Sequence, residues 1–177
     1  MRWDDLFDDL AGQIEHAGRM DRAEEVADRI RREEATVGLV DRVRAATSPL
    51  TFVLRDGSAL AGTPVDAGPG WVLLVEAVTG RQVLVPTEAV AAVRGLPPHS
   101  AAPLGVVAAR RTFLVALRAL AGASARVTVR TTASDLHGAL GRVGADHVDV
   151  RVEGAAPEGT AVQTVPFGAV LVVLERG

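Results

Sequence analysis

The sequence contains no cysteine and no tyrosine, and its aromatic residues are four Phe and two Trp in a chain of 177. Without cysteine there is no disulfide, no thiolate metal site and no Cys nucleophile. Lysine is missing too, so all 19 basic residues are Arg. With abundant Ala, Val and Gly, this bias fits a GC-rich coding sequence and is not by itself a sign of phosphate recognition. Long apolar runs are also lacking. The longest, VPFGAVLVVL at 165–174, is far too short to span a bilayer. The amino terminus, MRWDDLFDDL, has four aspartates where a secretory signal needs basic and then apolar residues. The expectation is a soluble cytoplasmic protein without membrane contact.

Charge is uneven. Residues 1–47 carry a net −4, residues 48–98 a net −1 and residues 99–177 a net +2, for a total of −3. No large basic field is available to draw in nucleic acid. A chain of this length makes one ordinary domain or two very small ones.

What is present is a repeat. VLRDGSALAGTPVDAGPGWVLLV at 53–75 returns as VRTTASDLHGALGRVGADHVDV at 129–150, so that Leu60, Gly62 and Gly68 recur 76 positions later as Leu136, Gly138 and Gly144. Val85-Pro86 and Ala89-Val90 recur 80 positions later as Val165-Pro166 and Ala169-Val170. Each copy reads as five short strands. In the first, LTFVLR meets the hairpin signal Asp56-Gly57, SALAGTPV returns with Pro64 at an edge or bulge, and WVLLVEAV, RQVLV and AVAAVRG follow. The second offers RVTVR, DLHGAL, HVDVRV, AVQTV and AVLVVLE. Helical spacing precedes each set, over 1–47 with a break near HAGRMD, and over 106–122.

A helix followed by five short strands resembles the Sm-like (LSm/Hfq) small-barrel superfamily. VLRDGSALAGTPVD is similar to the first Sm motif, with Gly62 at the strand bend, and Arg94-Gly95 is similar to the close of the second. The second copy has Thr132-Ala133 in place of the D-G turn. The Asp and Asn with which Sm proteins hold uridine are replaced by AGPGW and VGADHV. The whole layout, opening with WDDLFDDL, is also similar to uncharacterised actinobacterial proteins. An SH3-like barrel or a ribosome-maturation-factor type is the competing small-barrel assignment.

The fold expected is mainly β with helices (α+β): a long N-terminal helix followed by two helix-plus-five-strand Sm-like β-barrels in tandem. The segments are 1–47 (helical), 48–96 (first barrel), 97–105 (Pro-rich linker) and 106–177 (helix and second barrel). Barrels of the Sm type join through their last strands, so the two units pair with each other, or copies associate through AVAAVRG and AVLVVLE.

No P-loop, G-x-S-x-G, H-E-x-x-H or dinucleotide fingerprint occurs. His137, His147 and Asp149 form a conceivable metal trio, but without a recognisable ligand spacing. Ser134, Asp135 and His137 supply triad residue types, and only geometry makes a triad. The reading is non-enzymatic, with no metal, no cofactor and no evident small-molecule substrate. Trp3, Leu6, Phe7 and Leu10 form one apolar helical face flanked by aspartates. That stripe either docks a partner or a second copy, or packs on its own barrels. The runner-up is RNA binding, implied by the Sm resemblance, with Trp71, Arg94, Arg130 and Arg142 as the residues involved. Beside these, Arg110, Arg111, Arg118, Arg126 and Arg151 offer either a basic face or an ordinary solvated surface. Trp71 likewise reads as a stacking platform or as a plug at a barrel end.

Overall fold

The computed structural model describes residues 35–154 and 161–176. Residues 39–177 form one compact unit, which holds all the strands described below. The expected helix over 1–47 lies outside the described residues as far as residue 34. Beyond that, Ala35 is still helical, residues 36–38 are not, and a helix resumes as α1, Leu39–Arg44.

Alternation of apolar and polar residues builds the strands that follow. In β1 (Leu50–Leu54), Leu50, Phe52 and Leu54 are buried while Thr51 and Val53 are half-buried. Gly57, at φ +84°, lets the chain reverse where a residue with Cβ would be strained. The Asp56 carboxylate closes this turn by accepting from the Ser58 backbone N–H (2.9 Å) and hydroxyl (2.7 Å). The remaining strands of this half are β2 (Ala59–Gly68), β3 (Trp71–Glu76), β4 (Gln82–Pro86) and β5 (Val90–Arg94). Pro64 sits beside a register shift between Pro64 and Asp66, so β2 carries a bulge there. Gly62 is demanded by close approach: a Cβ would stand 2.7 Å from the Val75 carbonyl oxygen, and at Gly138 it would run into that of Arg151.

The second half begins with α2 (Val106–Ala109) and α3 (Phe113–Gly122). The continuous helix expected over 106–122 is broken at Arg110–Thr112. The Arg111 carbonyl leaves the helical ladder to accept the Trp71 indole N–H at 2.5 Å. Five strands follow, β6 (Arg126–Thr131), β7 (Asp135–Val143), β8 (His147–Val152), β9 (Ala161–Pro166) and β10 (Val170–Glu175).

The main correction concerns the barrels. The strands form one ten-stranded antiparallel sheet in the order β5-β1-β2-β3-β4-β10-β6-β7-β8-β9, not two separate helix-plus-five-strand barrels, and the helices are short. Each half keeps the same internal order of its five strands. They are fused where β4 pairs with β10, Leu84 opposite Val173 and Val83 opposite Leu174.

Fusion explains the apolar runs. Val72, Leu74, Val83 and Val85 face a first core with Phe52, Leu171 and Val172. Trp71 and Leu84, from the same strands, face a second core with Phe113, Leu117, Val127, Val170 and Val173. Strands buried on both faces lose the polar half of the alternation, hence WVLLV, QVLVP and VLVVL. The Pro-rich segment is strapped to α1: Arg42 donates to the Pro97 carbonyl (2.9 Å), Arg44 to that of Ala102 (2.7 Å), and the Ala101 N–H to that of Asp41 (2.9 Å).

Candidate interaction edges

A sheet with a linear strand order has two ends. Among the described residues they are β5, paired with β1 alone, and β9, paired with β8 alone. Unpaired edge backbone is a template for another strand. Of the two segments expected to join copies, AVAAVRG is on the free edge β5. AVLVVLE is not free: β10 is paired on one side with β4 and on the other with β6. Its apolar character comes from burial between the halves: of the two expected arrangements, the units pair with each other here, through β10 on β4.

The ladder phase at β9 follows from one bond. Phe167 N–H donates to the Asp146 carbonyl at 2.8 Å, and bonded pairs alternate along an antiparallel ladder. Val165 and Gln163, opposite Val148 and Val150, therefore spend their backbone groups on β8. Val162 and Thr164 turn theirs to the open side. Both residues are exposed, Val162 at 58 %. The side-chain face they share with β8 carries His147, Asp149 and Arg151, since Asp149 lies opposite Thr164 and Arg151 opposite Val162. These side chains are tied locally. The Thr164 hydroxyl donates to Asp149 (2.6 Å), Arg151 to the Leu140 carbonyl (3.3 Å), and His147 Nδ1 bonds Asp146 (2.8 Å). The bond to His147 holds the Asp146 carboxyl below the usual carboxylate range.

At the other end, β5 is short. Ala91, Ala92 and Arg94 are exposed, while Val90 and Val93 pack against the first core. Arg94 lies opposite Thr51.

The other residues singled out from sequence are dispersed. Trp71 is buried, with 5 % of its surface exposed, so neither ring face is open to a base. Its indole packs on Gly68, where a Cβ would lie 2.6 Å from Nε1, and the Arg111 guanidinium stands 6.0 Å from the ring centre while pairing with Asp66 at 2.8 Å. Arg130 on β6 pairs with Asp135 (3.3 Å), and Arg142 is exposed on β7. With Arg94 on β5 and Trp71 on β3, the four RNA-binding candidates occupy four different strands.

The metal trio is not assembled. His137 hydrogen-bonds Thr128 (2.9 Å), and its carbonyl accepts from Glu153, which lies just beyond the end of β8 opposite to His147. Among the described residues no three His, Asp or Glu side chains are placed to share a metal ion. Of the triad types, Asp135 is held by Arg130 and His137 by Thr128. The stripe Trp3, Leu6, Phe7 and Leu10 lies outside the described residues.

A small, open apolar hollow of about 90 Å³ marks the seam between the halves, lined by Leu73, Leu84, Leu120, Val127 and Val173 with Gln82 and Glu175. The edges themselves carry no sequence motif. The signal that locates them is the contrast between VLVP, apolar throughout, and its equivalent QTVP, polar where its partner strand is missing. Among the described residues no helix is long and apolar enough to cross a membrane. A scan against protein-family models matched none, and searches of curated proteins and of solved structures gave no match.

Proposed function

We propose that this chain is a non-enzymatic, cytoplasmic protein-interaction module, built by internal duplication of a five-stranded Sm-like unit, that takes an extended segment of a partner protein onto a free sheet edge. The observation that carries it is the β9 edge, where Val162 and Thr164 present backbone donors and acceptors to a side that no described strand covers. Strand addition draws affinity from main-chain hydrogen bonds and specificity from alternate side chains. The stripe Trp3, Leu6, Phe7 and Leu10, read from sequence alone, is the second contact element of the same proposal. It serves self-association or partner docking, so deleting 1–20 changes the molar mass in light scattering or loses a bound partner.

The edge is tested by selecting binders from a library of random linear peptides displayed against the full chain. Binding should protect the Val162 and Thr164 amides from exchange. It should be lost in Thr164→Pro, which removes an outward N–H while leaving the β8 ladder intact. Binders indifferent to Thr164→Pro, or no binders, would overturn the reading. Salt-sensitive binding of short U-rich or A-rich RNA, weakened by Arg94→Ala and Arg142→Ala, would put RNA recognition in its place.

A further inference from the structure

The seam between β4 and β10 offers an internal standard for what joins one five-stranded unit to the next. Carrying it by 80 positions to the ends of the sheet sets Thr164 of one copy opposite Val93 of a second, where Leu84 meets Val173, and Gln163 opposite Arg94, where Val83 meets Leu174. Backbone alone would allow copies to add head to tail in this way, making rings or filaments.

The side chains at the two ends do not repeat those of the seam. On the face that β3 and β4 present to the second core stand Trp71, Leu73, Val75 and Leu84; the equivalent face of β8 and β9 carries His147, Asp149, Arg151 and Thr164. On the other partner, Leu171, Val172 and Leu174 of β10 fill or flank the first core, while the equivalent residues of β5 are Ala91, Ala92 and Arg94. One exchange runs the other way, Gln82 against Val162, and that position lies at the rim of the seam hollow rather than inside a core.

Resting on the edge reading above, we infer that these seven residues are specificity determinants that exclude a second copy of the chain from the β9 edge and keep it for a different partner. A copy docked in the seam register would cover the Asp149 carboxylate, which stands where Leu73 packs against the second core, and would approach Arg151. It would set alanines where the seam has Leu and Val. Covered charges oppose association unless newly paired, and specificity built by disfavouring one competitor is an established way of choosing partners. An extended peptide is not bound by this restriction. It needs only the outward backbone groups of Val162 and Thr164, and it leaves the β8 face wet.

The absence of native cysteine makes the test clean. In the full chain carrying Val93→Cys and Val162→Cys, a short bismaleimide should give no intermolecular product, whatever self-association residues 1–20 provide. The same pair is then placed in a background with His147→Trp, Asp149→Leu, Arg151→Val and Thr164→Leu, plus Ala91→Leu, Ala92→Val and Arg94→Leu. That background should give head-to-tail multimers, with association at least about tenfold stronger, equivalent to roughly 1.4 kcal/mol. If it fails to fold, the smaller set Asp149→Leu with Thr164→Leu carries the same expectation. A ladder of multimers from the unaltered edges would overturn the inference, and so would a folded, altered protein that stays uncrosslinked. Failure of the edge reading would show separately, as peptide binding indifferent to Thr164→Pro.

Discussion

Leu84 and Thr164 occupy equivalent positions of the two halves, 80 residues apart, and truncating each to Ala separates the seam from the edge. Leu84 is 4 % exposed and packs into the second core opposite Val173. A buried Leu→Ala substitution costs about 2–5 kcal/mol, more where the cavity cannot collapse. Leu84 borders the open seam hollow, into which neighbours can relax, so the expected cost is the lower part of that range, about 2–3 kcal/mol. Thr164 is exposed and loses only its bond to Asp149. Surface changes of this kind stay within about 0.5 kcal/mol. With a urea slope near 2 kcal/mol per molar, Leu84→Ala should lower the midpoint by roughly 1–1.5 M and Thr164→Ala by about 0.25 M at most. Because Leu84 belongs to a strand of the first half and a core of the second, unfolding should remain a single transition that moves as a whole. Equal costs for the two substitutions, or a biphasic curve in which only one phase moves, would show that Leu84 does not join the two halves.

Three further outcomes follow from single contacts. Gly138→Ala places its Cβ against the Arg151 carbonyl and should cost about 3 kcal/mol or more by overpacking, exceeding Gly62→Ala, in thermal melts. Trp71→Phe keeps a ring but removes the donor to Arg111; leaving that carbonyl unsatisfied should cost about 1–3 kcal/mol in the same assay. Asp56 is acidified by its hydrogen bonds from the Ser58 side chain and backbone. A carboxyl whose folded pKa is depressed stabilises the fold above its unfolded value, near 3.8, and loses that contribution as pH falls through the lower folded value. The stability gap between the wild type and Asp56→Ala, followed by denaturation across acidic pH, should therefore close below that range; a gap that widens there would contradict the assignment.

Local chemistry made much of this fold readable. Asp56-Gly57 marks the first hairpin; Pro64, expected at an edge or a bulge, lies at a bulge; and Gly62, expected at a strand bend, lies where backbone approaches backbone, as does its repeat Gly138. The limits arose where a decision depends on strands distant in sequence. Alternation tells which side chains share a face, but not that β4 lays its open side on β10. The unbroken apolar runs WVLLV and VLVVL were the available sign of two-sided burial, yet such runs fit a closed barrel equally well. The helix over 106–122 was interrupted by a tertiary partner, the Trp71 indole, which no helical periodicity encodes. At the site, the 76-residue offset of the repeat sets His147 in the place of Trp71. Its meaning needed the neighbouring exchanges at Leu73 and Leu84, which become informative only once β3 and β4 are seen to be buried on both faces.

One sheet runs through both halves, with its seam at β4 and β10 and, among the described residues, its open ends at β5 and β9. Amide hydrogen exchange resolved by residue tests this arrangement most directly. A continuous sheet predicts that Leu84 and Val173, whose backbone groups face each other across the seam, exchange as slowly as the core strand β1, while Val162 and Thr164 exchange at rates near those of unpaired backbone. Leu84 and Val173 exchanging as fast as Val162 and Thr164 would mean that the halves are not joined there, and the account would fail.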